Sequence, residues 1–184
     1  MIERKNGFYS IEGKLYPSVT TILRVLNKPA LNAWLVRRAV GMARAHMAEG
    51  MPEEATFREL NRKDAAERGS QAHEVAARFA TGQSVPEDKV NPYYAAVARF
   101  FEEKQPKTLA AELVVLNEHH GYAGTIDLIA GIGGTNWLLD WKTSAAVYPE
   151  YELQLAAYSW AYTAVALDGA KTALPYVGRA AVVL

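Results

Sequence analysis

Two aspartates and a lysine interrupt apolar, strand-like runs in the second half of this 184-residue chain. Asp127 breaks Tyr122–Ile132, and the run that begins at Trp137 ends in Asp140, Trp141 and Lys142. Gly131, Gly133, Gly134 and Asn136 lie between the two runs, a composition that predicts a hairpin turn near Gly133–Gly134. Such a turn brings Asp127 close to opposite Asp140, and the period of two puts Asp140 and Lys142 on one face. Like charges facing each other destabilise a bare sheet, so this arrangement calls for a compensating cation. Hard divalent cations take oxygen ligands, and Mg²⁺ commonly uses one or two carboxylates together with phosphate oxygens of a substrate. The competing reading is a surface salt-bridge cluster, which stabilises little and does not explain charges set inside apolar strands.

Further polar residues converge on the same stretch. Glu112 sits in a strand-like run, Leu109–Leu116, and offers a third carboxylate. Gln154 and Tyr158 are four apart in a helix-like run and share a helical face, which looks either onto the carboxylates or into packing. His73 stands on an Ala-rich helical stretch. It reads as structural or exposed when taken alone, and as a nitrogen donor if a carboxylate-bound metal lies nearby. His119 and His120, at the turn before Tyr122, read as ligands or as solvated loop residues.

Taken together, Gly124-Thr-Ile-Asp127, Asp140-Trp-Lys142 and Gln154-Leu-Ala-Ala-Tyr158 resemble the PD-(D/E)XK nuclease superfamily, most closely its RecB-like and phage- or mitochondrial-type exonuclease branch. Arg68-Gly-Ser-Gln-Ala-His73 matches the upstream helix-borne histidine of that branch, and Glu112 its glutamate on the first core strand. The resemblance spans about residues 64 to 184, and more loosely Pro17–Leu23. It implies an α/β fold with a restriction-endonuclease-like core: helix, three-stranded antiparallel meander, helix, strand. It implies a metal-dependent deoxyribonuclease, more specifically an exonuclease of recombination, repair or phage DNA processing in the cytoplasm of a bacterial or phage-infected cell. Asp127 and Asp140 are then metal ligands, joined by His73, Glu112 and the Trp141 carbonyl, around one or two Mg²⁺ or Mn²⁺ ions. Lys142 orients or deprotonates a water. Gln154 and Tyr158 position the DNA strand and Thr143 or Ser144 touches phosphate; outside the resemblance, Arg37 and Arg38 are read from the basic N-terminal arm as further DNA-binding residues. The alternatives are a catalytically inactive nucleic-acid-binding module on the same fold and a metal-dependent hydrolase of a different substrate. The family continues beyond the last strand, so the chain is expected to be short at its C-terminus.

Composition narrows the choice. The chain has no cysteine, which excludes disulfides, zinc–thiolate sites and a cysteine-ligated iron–sulfur cluster. It has no apolar run long enough to span a bilayer and no signal-peptide core at its start. Net charge is zero, but residues 1–63 hold 11 Lys/Arg against 6 Asp/Glu, and residues 64–184 hold 9 against 14. Six basic residues and no acid lie between Gly13 and Ala48. A basic arm beside an acidic centre suits a phosphodiester enzyme; ordinary helix-surface charge is the plainer reading.

The elements that must position these residues follow from periodicity and punctuation. One domain is expected over 1–184, divided into a basic N-terminal part (1–63) and a core (64–184). Phe8–Tyr16 predicts a hairpin about Glu12-Gly13. Ser18 predicts an N-cap for a helix reaching Leu26 and closed by Lys28-Pro29. Leu31–Met47 predicts a helix whose stripe of Leu31, Trp34, Leu35 and Ala39 is apolar, with Trp34 read as core or as a base-stacking residue beside Arg37 and Arg38. Glu53–Arg62 predicts a short helix, Asp64–Thr81 a helix carrying His73, and Asn91-Pro92 the start of another. Tyr151–Leu167 predicts one long helix, and Arg179–Leu184 a last strand joined by a right-handed parallel crossover. The expected sheet is mixed, with four or five strands.

Overall fold

A computed structural model describes residues 2–26, 29–60, 64–86, 93–144, 146–161, 163–174 and 178–183. The chain forms a mixed α/β structure of two compact units. One comprises residues 1–25 and 68–184, and the other residues 26–67. The N-terminal 25 residues thus belong with the core, not with the basic helices that follow them.

The first unit opens with an antiparallel sheet of β1 (Ile2–Lys5), β2 (Phe8–Ile11) and β3 (Lys14–Pro17), in that order. Both connections are two-residue turns with both central residues at positive φ: Asn6 (52°) with Gly7 (81°), and Glu12 (53°) with Gly13 (76°). This geometry matches the right-handed twist of the strands and favours Asn-Gly. The second hairpin was expected. The first is an additional hairpin, and Asn6-Gly7 is its turn.

Ser18 caps α1 (Val19–Ile22), its Oγ accepting the Thr21 N–H at 3.1 Å. The expected helix to Leu26 is shorter: four residues pass into a 3₁₀ turn at Leu23–Val25.

The larger sheet has six strands, more than expected. They are β4 (Lys107–Asn117), β5 (Tyr122–Ile132), β6 (Thr135–Trp141), β7 (Thr163–Val165), β8 (Lys171–Ala173) and β9 (Arg179–Val183), arranged β8-β7-β4-β5-β6-β9. All pairs are antiparallel except β6–β9. That parallel pair follows α6 (Pro149–Ser159), as a crossover requires. The single long helix over Tyr151–Leu167 is therefore corrected. It stops at Ser159, and Thr163–Val165 becomes a strand on the open edge of β4, with Val114 opposite Val165. A short apolar run satisfies either period, and an unpaired sheet edge decides for the strand.

Two helix layers cover this sheet. Along β6, Leu138 packs with Leu155 and Tyr158 of α6, whereas Leu139 and Trp141 pack with Val75 and Ala76 of α4 (Asp64–Ala80) and Val97 of α5 (Tyr94–Lys104). Trp141 meets the Phe100 ring edge-on at 5.1 Å and stacks on Phe101 at 6.2 Å. The Asn91-Pro92 helix start lies outside the described residues.

The second unit contains α2 (Pro29–Ala48) and α3 (Glu53–Leu60). Its helical hairpin is clamped by His46, whose Nδ1 and Nε2 bond Thr56 Oγ1 at 2.8 Å and Glu59 Oε2 at 3.1 Å. The apolar stripe expected on α2 is only partly its packing face: Trp34 is 50% and Leu35 44% exposed, while Arg38, Ala39, Met42, Ala43 and His46 are half-buried. No helix among the described residues is long and apolar enough to cross a membrane.

Candidate metal centre

The turn at Gly133–Gly134, both at positive φ (57° and 79°), sets the β5–β6 register. Leu128 faces Leu139 at the end of that ladder, and Asp127 and Asp140 are the residues next beyond it on the two strands. Asp127 then takes over from the ladder: its Oδ2 accepts the Trp141 N–H at 2.8 Å, and both groups are buried.

Across β5, the β4 register brackets the same point, with Ala111 opposite Leu128 and Leu113 opposite Ile126. Glu112 is therefore the cross-strand neighbour of Asp127. Its backbone is left-handed, φ 49°, in the middle of a strand. The usual alternation breaks here. Ala111 and Leu128 pack on the α4/α5 side, while Leu113 and Ile126 pack on the α6 side. The kink turns Glu112 and Asp127 out of the regular pleat, at a cost of roughly 1–3 kcal/mol for the left-handed residue. From α4, His73 Nδ1 reaches to 3.2 Å from Asp127 Oδ1. His73, Glu112 and Asp127 each present a donor atom within 4.8 Å of the other two.

Asp140 forms the adjoining half of the cluster. Gln154 Nε2 donates to Asp140 Oδ1 at 3.0 Å and lies 2.9 Å from the Tyr158 hydroxyl. Lys142 Nζ pairs with Asp140 Oδ2, a buried atom with no other partner among the described residues. The same ammonium stands 5.2 Å above the Tyr151 ring, a favourable contact for a cation.

The charges are under tension. Burial raises the Asp140 pKa, and Asp127 adds to this, so that together they outweigh Lys142. Protein crowded around the Glu112 carboxyl raises its pKa, with the charge of Asp127 adding, although the residue remains accessible to solvent. Burial pulls the His73 imidazole down, but the hydrogen bond and charge of Asp127 prevail and its pKa is raised. The Tyr158 hydroxyl is pushed far up by burial and by Asp140, so it stays protonated. These four groups hold their protons more tightly than free side chains do, chiefly through burial for Glu112, Asp140 and Tyr158 and through Asp127 for His73.

The sequence-based residues thus separate into groups. His73, Glu112, Asp127, Asp140, Lys142, Gln154 and Tyr158 come together. Asp127 groups with His73 and Glu112, rather than with Asp140, in the tight three-donor set. Trp141 contributes its backbone N–H to Asp127, while its ring belongs to the core. Ser144 Oγ donates to the Ala146 carbonyl at 2.8 Å, and Thr143 is exposed. Arg37 and Arg38 are on α2 of the other unit. His119 and His120 pack on each other at the β4–β5 turn, with His120 stacked on Tyr122. Tyr151 was overlooked, although it stands three residues before Gln154 and so shares its helical neighbourhood. No protein-family model matches this chain, and no curated protein is significantly similar to it.

Proposed function

We propose that this protein is a metal-dependent DNA nuclease, an exonuclease built on a restriction-endonuclease-like core. The observation that carries the reading is the three-donor set of His73, Glu112 and Asp127 within 4.8 Å, flanked by the Asp140–Lys142 pair. The order of α4, the β4–β5–β6 meander, α6 and β9 supports it, as does the absence of cysteine, which leaves oxygen and imidazole donors for a hard cation.

The donor chemistry fits Mg²⁺ or Mn²⁺. His73, Glu112 and Asp127 would hold the ion, with the Asp140 carboxylate, paired to Lys142, alongside. The protons that these raised groups retain are the ones a cation displaces. A bound divalent ion supplies positive charge to phosphate oxygens and acidifies a water.

The chain's own residues do the rest. Lys142, tethered to Asp140 and seated over Tyr151, orients the attacking water and offsets negative charge as it develops on the phosphate. Gln154 fixes the Asp140 carboxylate through Oδ1 and is itself held against Tyr158. Main-chain N–H donation fixes Asp127. Positioning of this kind is most of what phosphodiester chemistry asks of a protein.

The test is release of nucleotides from linear DNA by the purified chain in Mg²⁺ and in Mn²⁺, with Lys142→Ala alongside. Metal-dependent release that Lys142→Ala abolishes is expected. No cleavage in either metal overturns the reading, and DNA binding without cleavage would replace it with a non-catalytic binding module.

A further inference from the structure

The second unit carries a face that its own fold leaves unused. Helix α2 packs toward α3 through Ala39, Met42, Ala43 and His46, with His46 bonded to Thr56 and Glu59. Trp34, Arg37, Arg38, Gly41, Arg44 and Ala48 fall at i, i+3, i+4, i+7, i+10 and i+14, which is a single stripe on the opposite side. Five of the six are exposed: Arg37, Gly41, Arg44 and Ala48 are open to solvent and Trp34 is 50% exposed, while Arg38 is half-buried. A Cβ built at Gly41, in the middle of the stripe, would meet nothing within 4 Å.

The chemistry of this face is one-sided. Helix α2 contains no Asp or Glu, so the three guanidinium groups have no acid on their own helix. Arg38 lies over the Trp34 ring, 5.5 Å from its centroid. Arg37 and Arg44 are two helical turns apart, about 11 Å along the axis, so they reach different anions. Cations in a row with small residues between them suit a linear polyanion, and an exposed aromatic at one end of the row offers a platform for an unpaired base. An acidic peptide or an anionic bilayer would satisfy the arginines but leaves the half-exposed indole, with its guanidinium lid, without a purpose. Small residues at Gly41 and Ala48 let a strand's backbone approach the helix closely.

We propose that this face of α2 is a binding site for single-stranded nucleic acid, in which Arg37, Arg38 and Arg44 engage successive backbone phosphates and Trp34 stacks a base. The proposal deepens the nuclease reading by naming the form of the substrate, but it stands on residues outside the metal centre.

The test is fluorescence-anisotropy titration of the full chain with labelled oligo(dT) in EDTA, where the metal centre takes no part. The wild type should bind with strong salt dependence. Each phosphate contact on a single strand contributes roughly 0.7 to the slope of log affinity against log salt, so Arg37→Ala/Arg44→Ala should lower the slope by about 1.4. Trp34→Ala should weaken binding by roughly 5- to 100-fold, the usual worth of one stacked base. Gly41→Glu keeps the fold falsifiable, since it adds a better helix former in open space: it should raise or preserve the melting temperature while reducing binding at least tenfold. Unchanged oligo(dT) affinity in Gly41→Glu and Arg37→Ala/Arg44→Ala overturns the proposal. So does loss of only anionic-vesicle binding, or of only self-association, in the same variants. The metal reading fails separately, by absence of cleavage with binding intact.

Discussion

Gly124 lies directly against the ring of Tyr158: a Cβ added at position 124 would approach ring atom Cε1 to well under 3.0 Å. The φ of Gly124 is not in the left-handed region, so the reason for glycine here is space alone. Tyr158 in turn meets Gln154, which holds Asp140. A single missing methyl on β5 therefore sets where the carboxylate two elements away is braced. Gly124→Ala should cost about 1–3 kcal/mol through overpacking, read by urea denaturation, and should lower cleavage as Tyr158 is displaced. Adding Tyr158→Ala should recover part of the stability but none of the activity. Additive losses in the double variant would mean that the two sites are not in contact.

Glu112 is the strained member of the donor set. Its left-handed backbone suits glycine, which adopts positive φ at little cost. Glu112→Gly should leave the metal-free protein as stable or up to about 1 kcal/mol more stable, and calorimetry with Mn²⁺ should show affinity at least tenfold weaker. A stability loss of several kcal/mol would show that the Glu112 side chain is part of the structure rather than part of a site.

The ion pair of Lys142 with Asp140 separates binding from turnover. Lys142→Ala removes a cation beside the donor oxygens, so Mn²⁺ affinity should be kept or increased while cleavage is lost. The partner carboxylate of Asp140 is buried, and leaving it without its ammonium should cost roughly 3 kcal/mol in EDTA, recovered on adding metal. Parallel loss of metal affinity and cleavage would count against Lys142 as a group that acts on substrate or water.

The pH dependence follows from three raised groups. His73, Glu112 and Asp140 each bind a proton more tightly in the folded chain than in the unfolded one. Their stabilisation is complete below the unfolded values, 6.5 for His73, 4.5 for Glu112 and 3.8 for Asp140, and is lost as pH rises through the higher folded values. In EDTA the melting temperature should therefore fall as pH rises above about 4 and go on falling past 6.5 as His73 loses its proton, and Asp140→Asn should flatten part of that fall. Mg²⁺ should oppose it, because the ion prefers the deprotonated forms and gains affinity as pH rises. A melting curve set in which Mg²⁺ stabilises most at the acid end would refute the linkage.

Much of the site was legible beforehand because it depends on short-range rules. Two glycines at 133 and 134 dictate a hairpin, the hairpin dictates a register, and the register puts Asp127 and Asp140 side by side. Gln154 and Tyr158 followed from helical spacing, and Ser18 from the chemistry of a cap. These are local constraints, and residue order alone carries them.

What tertiary structure alone decided lies where distant elements compete for one position. Thr163–Val165 satisfies a helical period, yet becomes a strand because β4 has an unpaired edge to offer. Glu112 alternates like any strand residue in the sequence, yet adopts a left-handed backbone that sends Ala111 and Leu113 to different layers. That kink, together with the approach of α4, makes Asp127 a partner of His73 and Glu112 and leaves Asp140 to Lys142 and Gln154. Periodicity fixes which face a side chain takes within its own element; which of several nearby charges it then meets depends on packing between elements, and no local pattern encodes that.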